Sequence, residues 1–263
     1  FGLMADKTHQ GGAYPVMALA DGGLYGFIDQ PVALGFNLTG GVLTNNTFDS
    51  DADDRDFAPK SDAVVIALGR ASADKTLSGS LSATYLMEDQ GVLGTGGAGG
   101  LGFTEGSESQ AITLSTSYQL SGNTEFSASY TEAFSKGDTS TDNLLTLTSS
   151  HLVSNAFALG VAQRHLISDT DELKFSIGQP LRVDGGSMSL VHDDYYDEAE
   201  TMHSRRVDID LSPTGRQIDY QLQYSFSPKK NLTLGAFAYY ANDYLHQKTL
   251  TDHGVGVRLM GGF

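Results

Sequence analysis

From Thr76 to Tyr85 the chain reads Thr-Leu-Ser-Gly-Ser-Leu-Ser-Ala-Thr-Tyr, so Leu77, Gly79, Leu81, Ala83 and Tyr85 alternate with Thr76, Ser78, Ser80, Ser82 and Thr84. A period of two with one apolar and one hydroxyl face predicts a β-strand, because a helix would mix these residues around its circumference. The pattern recurs along the chain. Ile112, Leu114 and Tyr118 alternate with Thr113, Ser115, Ser117 and Gln119, and Phe126, Ala128 and Tyr130 with Glu125, Ser127, Ser129 and Thr131. Phe157, Leu159 and Val161 alternate with Ala158, Gly160 and Ala162, and Leu173, Phe175 and Ile177 with Lys174, Ser176 and Gly178. Ile218, Tyr220, Leu222, Tyr224 and Phe226 alternate with Gln217, Asp219, Gln221, Gln223 and Ser225.

Tight connections at 71–75, 121–123, 153–154, 184–186 and 227–230 alternate with longer polar ones at 44–61, 88–108, 135–143, 192–204 and 242–251. The connection at 165–170 is intermediate and stands where a longer one is expected. The intervening segments predict about twelve strands, near 32–43, 62–70, 76–87, 109–120, 124–134, 144–152, 155–165, 171–182, 187–192, 205–226, 231–241 and 252–263. Within 205–226, Val207, Ile209 and Leu211 are odd and Ile218 onward is even. A bulge at Ser212-Pro213-Thr214-Gly215 would shift the register by one and keep one face outward. Short turns on one side and long loops on the other characterise outer-membrane barrels. The expected fold is all-β, a transmembrane antiparallel up-and-down barrel over 32–263, with residues 1–31 as a linker or pore segment before it. A soluble sandwich or solenoid also alternates. Sandwich strands, however, are usually nearer five or six residues, and nothing in a sandwich requires so regular an exchange of long and short loops.

Composition fits a barrel. Only 40% of the 263 residues are hydrophobic, as expected where every second residue faces a polar lumen. The longest apolar run, Ala63 to Leu68, is far too short for a transmembrane helix. With no cysteine there is no disulfide framework and no thiolate metal site. A net charge of −16 excludes a phosphate-neutralising surface, so nucleic acid is not an expected partner. No signal peptide opens the sequence at Phe1, so a mature or trimmed form of an exported protein is expected. An even strand count would place both barrel ends in the periplasm and the long acidic loops outside.

The last strand carries Val255, Val257, Leu259 and Phe263 on one face, with Phe263 terminal. It is similar to the C-terminal signal that the barrel-assembly machinery reads on outer-membrane substrates, and Gly261 departs from it at a position that is usually apolar. Further stretches carry a more specific resemblance. They are Ser150-His-Leu-Val-Ser-Asn-Ala-Phe-Ala-Leu-Gly160, Ser176-Ile-Gly-Gln-Pro-Leu-Arg-Val-Asp-Gly-Gly186 and Asp210-Leu-Ser-Pro-Thr-Gly-Arg216, with the glycine-rich Leu93-Gly-Thr-Gly-Gly-Ala-Gly-Gly-Leu101. The chain from about residue 12 onward resembles the translocator barrels of subtilisin-type autotransporters, with Gln217 departing where the family commonly has an acidic residue. The resemblance implies type V secretion. The barrel anchors and exports an N-terminal passenger, a linker occupies the pore, and the passenger encoded upstream is a subtilisin-like protease. It also implies lipid, lipopolysaccharide and the assembly machinery as partners. Alternatives are a structural barrel subunit of a larger envelope assembly and a small non-specific channel.

By parity Glu125, Lys174, Asp219 and Arg258, with Arg164, point to the lumen, where they would contact a linker, pass ions or pair with one another. Asp49, Asp51 and Asp53, with Asp54 and Asp56, offer alternating oxygen ligands to calcium. That run lacks the glycine and distal glutamate of a calcium loop and reads as a solvated acidic loop, as do Asp193, Asp194, Asp197, Glu198 and Glu200. Gly94, Gly96 and Gly99 match a dinucleotide fingerprint in spacing but no βαβ unit surrounds them, and no cofactor is expected. Seven histidines and many serines stand without a nucleophile-elbow sequence, so no catalytic triad is expected in this chain.

A barrel inserted in lipid makes its own prediction. The purified chain is expected to need detergent and to migrate differently on gels before and after boiling, because a sheet without edges unfolds slowly. A monodisperse protein in plain buffer with one mobility would overturn the membrane assignment.

Overall fold

The computed structural model describes residues 15, 16, 19, 24–44, 60–89, 91–93, 95, 96, 106–137, 145–149, 151–196, 202–229 and 231–261. They form β1 (Leu24–Pro31), β2 (Phe36–Thr44), β3 (Lys60–Ala71), β4 (Leu77–Asp89), β5 (Gly91–Val92), β6 (Thr95–Gly96), β7 (Ser107–Gln119) and β8 (Thr124–Gly137). There follow β9 (Leu145–Leu147), β10 (Leu152–Arg164), β11 (Asp171–Gly185), β12 (Ser187–Tyr196), β13 (Met202–Asp210), β14 (Ile218–Lys229), β15 (Leu232–Asn242) and β16 (Thr251–Gly261). Eleven strands make one sheet in the order β1-β2-β3-β4-β7-β8-β10-β11-β14-β15-β16. Every pairing is antiparallel, and each strand pairs with the next of the eleven along the chain. This is the expected up-and-down arrangement.

The register decides which residues share a face. Ala63 faces Leu86, Thr84 faces Ala111, Thr113 faces Thr131, and Thr131 faces Ala156. These residues belong to one side of the sheet, which is buried. The opposite side carries the rows Leu77, Tyr118, Phe126, Val161, Phe175, Leu222 and, one step up, Leu81, Leu114, Tyr130, Phe157. Leu77, Leu81, Leu114, Tyr220, Leu222, Leu234 and Leu259 are all exposed. A continuous band of exposed large apolar side chains around a sheet with a polar and small-residue interior is the inverse of a soluble fold and suits lipid. The hydroxyl face pairs with itself across the strands, as in Thr113–Thr131 at 2.8 Å, Ser78–Ser117 at 2.8 Å and Ser109–Ser135 at 2.7 Å.

The strand plan differs from expectation in four places. The sheet begins at Leu24, where a strand was expected only from 32 and residues up to 31 were placed in a linker. Val153 and Ser154 make no turn: β10 runs through them and pairs with β8 from Leu152 to Gln163, since neither residue supplies the left-handed backbone that a tight reversal needs. The 184–186 connection is a bend, not a hairpin. Gly186 has φ +151, and β12 beyond it pairs with β13 and β9 rather than with β11. The single strand expected over 205–226 is two, separated by seven residues instead of a one-residue bulge. Among the described residues the wall therefore has eleven strands, close to the expected dozen, and 165–170 falls among the short turns. An odd count also puts the start of β1 at the long-connection end and the end of β16 at the short-turn end, so the two ends of the wall are not on one side.

Where β11 and β14 part company above Gly178 and Asp219, the short sheet β13-β12-β9 continues upward. Its Leu147 and Met188 join Val92 and Leu152 in a small apolar cluster beneath the β5–β6 hairpin. On the last strands the inward positions Gly254 and Gly256 lie under the rings of Tyr239 and Phe237, where an added Cβ would come within 2.5 Å of ring carbon. A glycine opposite an aromatic leaves room for a ring to lie flat on the sheet and cover backbone that no side chain protects.

Leu114 stands midway along β7 on the apolar face and Ser115 beside it on the inner face. Leu114→Lys is expected to cost about 2–4 kcal/mol in equilibrium unfolding from bilayers, whereas Ser115→Lys leaves stability nearly unchanged. Equal effects would contradict this assignment of faces.

Candidate functional site

Small inward side chains leave space, and that space is filled from within. Val16, only 1% exposed, packs with Leu43, Ala63, Val65, Leu86, Ala111 and Ala133, and Leu19, Tyr25 and Leu181 close around it. The contributing wall positions come from β2, β3, β4, β7 and β8, toward the ends that carry the long connections. An apolar residue from ahead of β1 therefore sits inside the sheet and shields its hydroxyls from water. Of the expected pore segment 1–31, residues 15, 16 and 19 are buried or half-buried, 24–31 belong to the wall, and the others lie outside the described residues.

At the opposite end the inner face is charged. Arg164 at the end of β10 bonds Glu125 at 2.9 Å and Glu172 at 3.1 Å, and Lys174 bonds Glu172 at 2.5 Å. These groups keep 22–54% of their side chains exposed, so each pair is worth under about 1 kcal/mol. Their effect is to line the short-turn mouth with both signs of charge rather than to hold the fold. Asp219 also faces inward, opposite Gly178 and Ala241, and accepts a bond from Gln217 Nε2 at 2.7 Å. Arg258 faces inward opposite Gly235. Glu125, Lys174, Asp219 and Arg258 thus share the inner face, but only Glu125 and Lys174 join one network, through Arg164 and Glu172.

A second polar assembly fills the gap where β11 and β14 separate. Arg182 donates from Nε and Nη2 to the carbonyls of Gly215 and Pro213, both at 3.1 Å, and its Nη1 pairs with Asp184. Arg216 donates from Nη1 to Gln179 Oε1 at 2.7 Å and reaches Asp184 at 3.5 Å. Gln179 in turn donates to Asn155 Oδ1 at 2.7 Å. The connection 243–250 locks onto this assembly. His246 accepts the Gln217 backbone N–H at Nδ1 (3.0 Å), which puts its proton on Nε2, facing the Leu181 carbonyl at 3.1 Å. Gln217 Oε1 accepts the Leu245 N–H at 2.7 Å, and Asp243 accepts from the backbone of Arg216 and Thr249. Asp243, Leu245, His246 and Thr249 all have left-handed φ, a strain held only because the surroundings over-determine it. Gly215 is required here, since a Cβ would meet the backbone of Lys248 at 2.7 Å and Gln247 at 2.9 Å.

The sequence marked Gln179-Pro-Leu-Arg182 and Leu211-Ser-Pro-Thr-Gly-Arg216 as distinctive without connecting them, and they prove to be two halves of one contact. His246 carried no sequence signal, because nothing local reveals a partner 65 residues away. Val255, Val257 and Leu259 share the outer face of β16 and are exposed. Phe263, Asp49, Asp51, Asp53, Gly94 and Gly99 lie outside the described residues, and Gly96 closes β6.

No protein-family model matches the chain, and no curated protein matches it. Solved structures do. The anion-selective porin from Comamonas acidovorans aligns at TM-score 0.53 and 14% identity, over 90% of this chain and 58% of the porin. The CymD monoaromatic hydrocarbon channel aligns at TM-score 0.50 and 12% identity, over 92% of this chain and 74% of the channel. The chain has the fold of the outer-membrane β-barrels. It spans under two thirds of the porin's length, and at these identities the likeness extends to the fold alone.

Burial, with the charges of Arg182 and Arg216, holds the His246 imidazole below its ordinary value against the pull of its bond to Leu181. The neutral ring belongs to the closed loop. As pH falls below about 6.5, the opened loop takes up a proton that the closed one refuses, so closure loses stability toward acid. Hydrogen exchange over 243–250, corrected for intrinsic rates, is expected to lose protection between neutral and mildly acid pH in the wild type. In His246→Gln it is expected to show no such dependence. A pH-independent wild type would contradict the role of His246.

Proposed function

We propose that this chain is an outer-membrane translocator barrel, which anchors an N-terminal passenger and holds the connecting segment in its lumen. The observation that supports the reading best is Val16, buried on the inner face with Leu19 against it. A barrel wall of small residues and hydroxyls suits a threaded backbone: it leaves room, and it offers donors and acceptors without demanding a matching apolar surface. The long connections then face the cell exterior and the short turns the periplasm. The resemblance to subtilisin-type autotransporters makes a protease the proposed passenger, with this chain itself non-enzymatic. Lipid, lipopolysaccharide and the barrel-assembly machinery are the proposed partners, the last through Val255, Val257, Leu259 and Phe263.

A second reading, a small channel, draws on the mixed charges at the short-turn mouth, Glu125, Arg164, Glu172 and Lys174, and on the channel folds that the chain resembles. Planar bilayers separate the two. Deleting residues 1–23, ahead of the first wall strand, is expected to raise single-channel conductance several-fold, and a reporter domain fused ahead of Phe1 is expected to be cleaved by protease added to intact cells. Unchanged conductance together with a protected reporter would favour the channel.

A further inference from the structure

Among the described residues the outer face of the wall is mostly apolar, with charged groups near its two ends, such as Arg70 over Phe36 at the short-turn end. Toward the long-connection end of β7, β8 and β10, Glu108, Gln110, Phe134, Lys136 and His151 line a cavity of about 300 Å³. Register puts these side chains outside the barrel. Glu108 stands opposite Lys136, and Gln110 opposite Phe134. Gln110 is also opposite Tyr85, which shares the lipid-side face with Leu81. Immediately below, the Tyr130 hydroxyl donates to Glu132 at 2.5 Å, on the same outward side.

Height above the membrane decides what such a cavity meets. Ten residues separate Tyr118, in the lower aromatic row of β7, from Glu108. At about 3.4 Å per residue and a tilt of about 40°, that is about 26 Å along the membrane normal, against an apolar band about 25 Å tall. Tyr85 and Phe134, both opposite Gln110, therefore mark the upper girdle, and Glu108, Lys136 and His151 stand at headgroup level. At midplane a lysine on the lipid face would be costly, but at this height it is tolerated and faces lipid headgroups rather than bulk water.

We infer that this outward cavity binds the phosphorylated sugar headgroup of an outer-leaflet glycolipid of the lipopolysaccharide type. The chemistry matches each part of such a headgroup. Phe134 offers a flat apolar wall to a sugar ring. The Glu108 carboxylate and the Gln110 amide accept and donate to ring hydroxyls. Lys136 supplies a point charge for phosphate. Glu108 opposite Lys136 also disfavours a simple anionic phospholipid, which has phosphate but few hydroxyls to satisfy the carboxylate. The inference rests on the membrane reading with long connections outward.

The test uses the full chain in detergent. Binding of rough-type lipopolysaccharide micelles is compared with binding of phosphatidylglycerol micelles and of soluble glucosamine phosphate. Wild type is expected to prefer lipopolysaccharide at least tenfold over phosphatidylglycerol, with Lys136→Ala and Phe134→Ala each losing about tenfold while heat-modifiable mobility is kept. If an alanine variant does not fold, Lys136→Gln and Phe134→Leu are read in its place. Equal binding of both lipids, or folded variants that bind as wild type, would overturn the site. Tight binding of the soluble sugar phosphate with no gain from the lipid would overturn the membrane source of the ligand. Failure of the membrane reading itself shows separately, as a protein stable without detergent and with no heat-modifiable mobility.

Discussion

The fold depends on the backbone's need for hydrogen bonds where no water is at hand. A strand crossing lipid has nothing to bond except its neighbours, so each of the eleven wall strands is laddered antiparallel to the next without a gap across the apolar band. The ladder fixes the register, and the register sorts side chains into two faces that never mix. Leu77, Leu114 and Leu222 share one face, and Ser80, Thr113 and Gln221 the other. The apolar band, the hydroxyl ladders and the placement of the inward charges all follow from this constraint.

The inner face shows how a narrow barrel manages its lumen. Alanine, serine and glycine dominate the walls of β3, β4, β7 and β8, which is why a residue as large as Val16 is accommodated among Ala63, Ala111 and Ala133. On the last strands the economy differs. Phe237 and Tyr239 lie over Gly256 and Gly254, so large rings occupy inner space that neighbouring glycines vacate. The inner surface is therefore uneven: smooth and filled beside the N-terminal segment, aromatic and more open at the other end of the sheet.

The wall is interrupted where β11 leaves β14. Backbone groups released there do not go unpaired, because Arg182 takes the carbonyls of Pro213 and Gly215, and His246 and Gln217 take groups of the neighbouring chain. Two guanidinium groups so close together are tolerated because Asp184 lies between them and Gln179 accepts from one. Side chains here do what the ladder does elsewhere, and the left-handed residues of 243–250 show what that substitution costs the backbone.

By itself the sequence determined the fold class and the alternation that sorts Leu77, Leu114 and Leu259 onto one face and Glu125, Lys174, Asp219 and Arg258 onto the other, because a period of two is a local property and antiparallel pairing preserves it. It also singled out the Gln179–Arg182 and Ser212–Arg216 stretches as unusual. It did not determine the strand count. Whether Val153-Ser154 turns or runs on, and whether 184–186 reverses or bends, depends on which partner offers hydrogen bonds, and that is decided by the neighbouring strands β8, β12 and β13. It did not show that the two unusual stretches meet, or that His246 joins them, because these contacts span 31 to 65 residues. The seat of Val16 inside the wall and the outward cavity at Lys136 were likewise fixed only by tertiary structure, since each is built from strands distant in sequence that the ladder alone brings side by side.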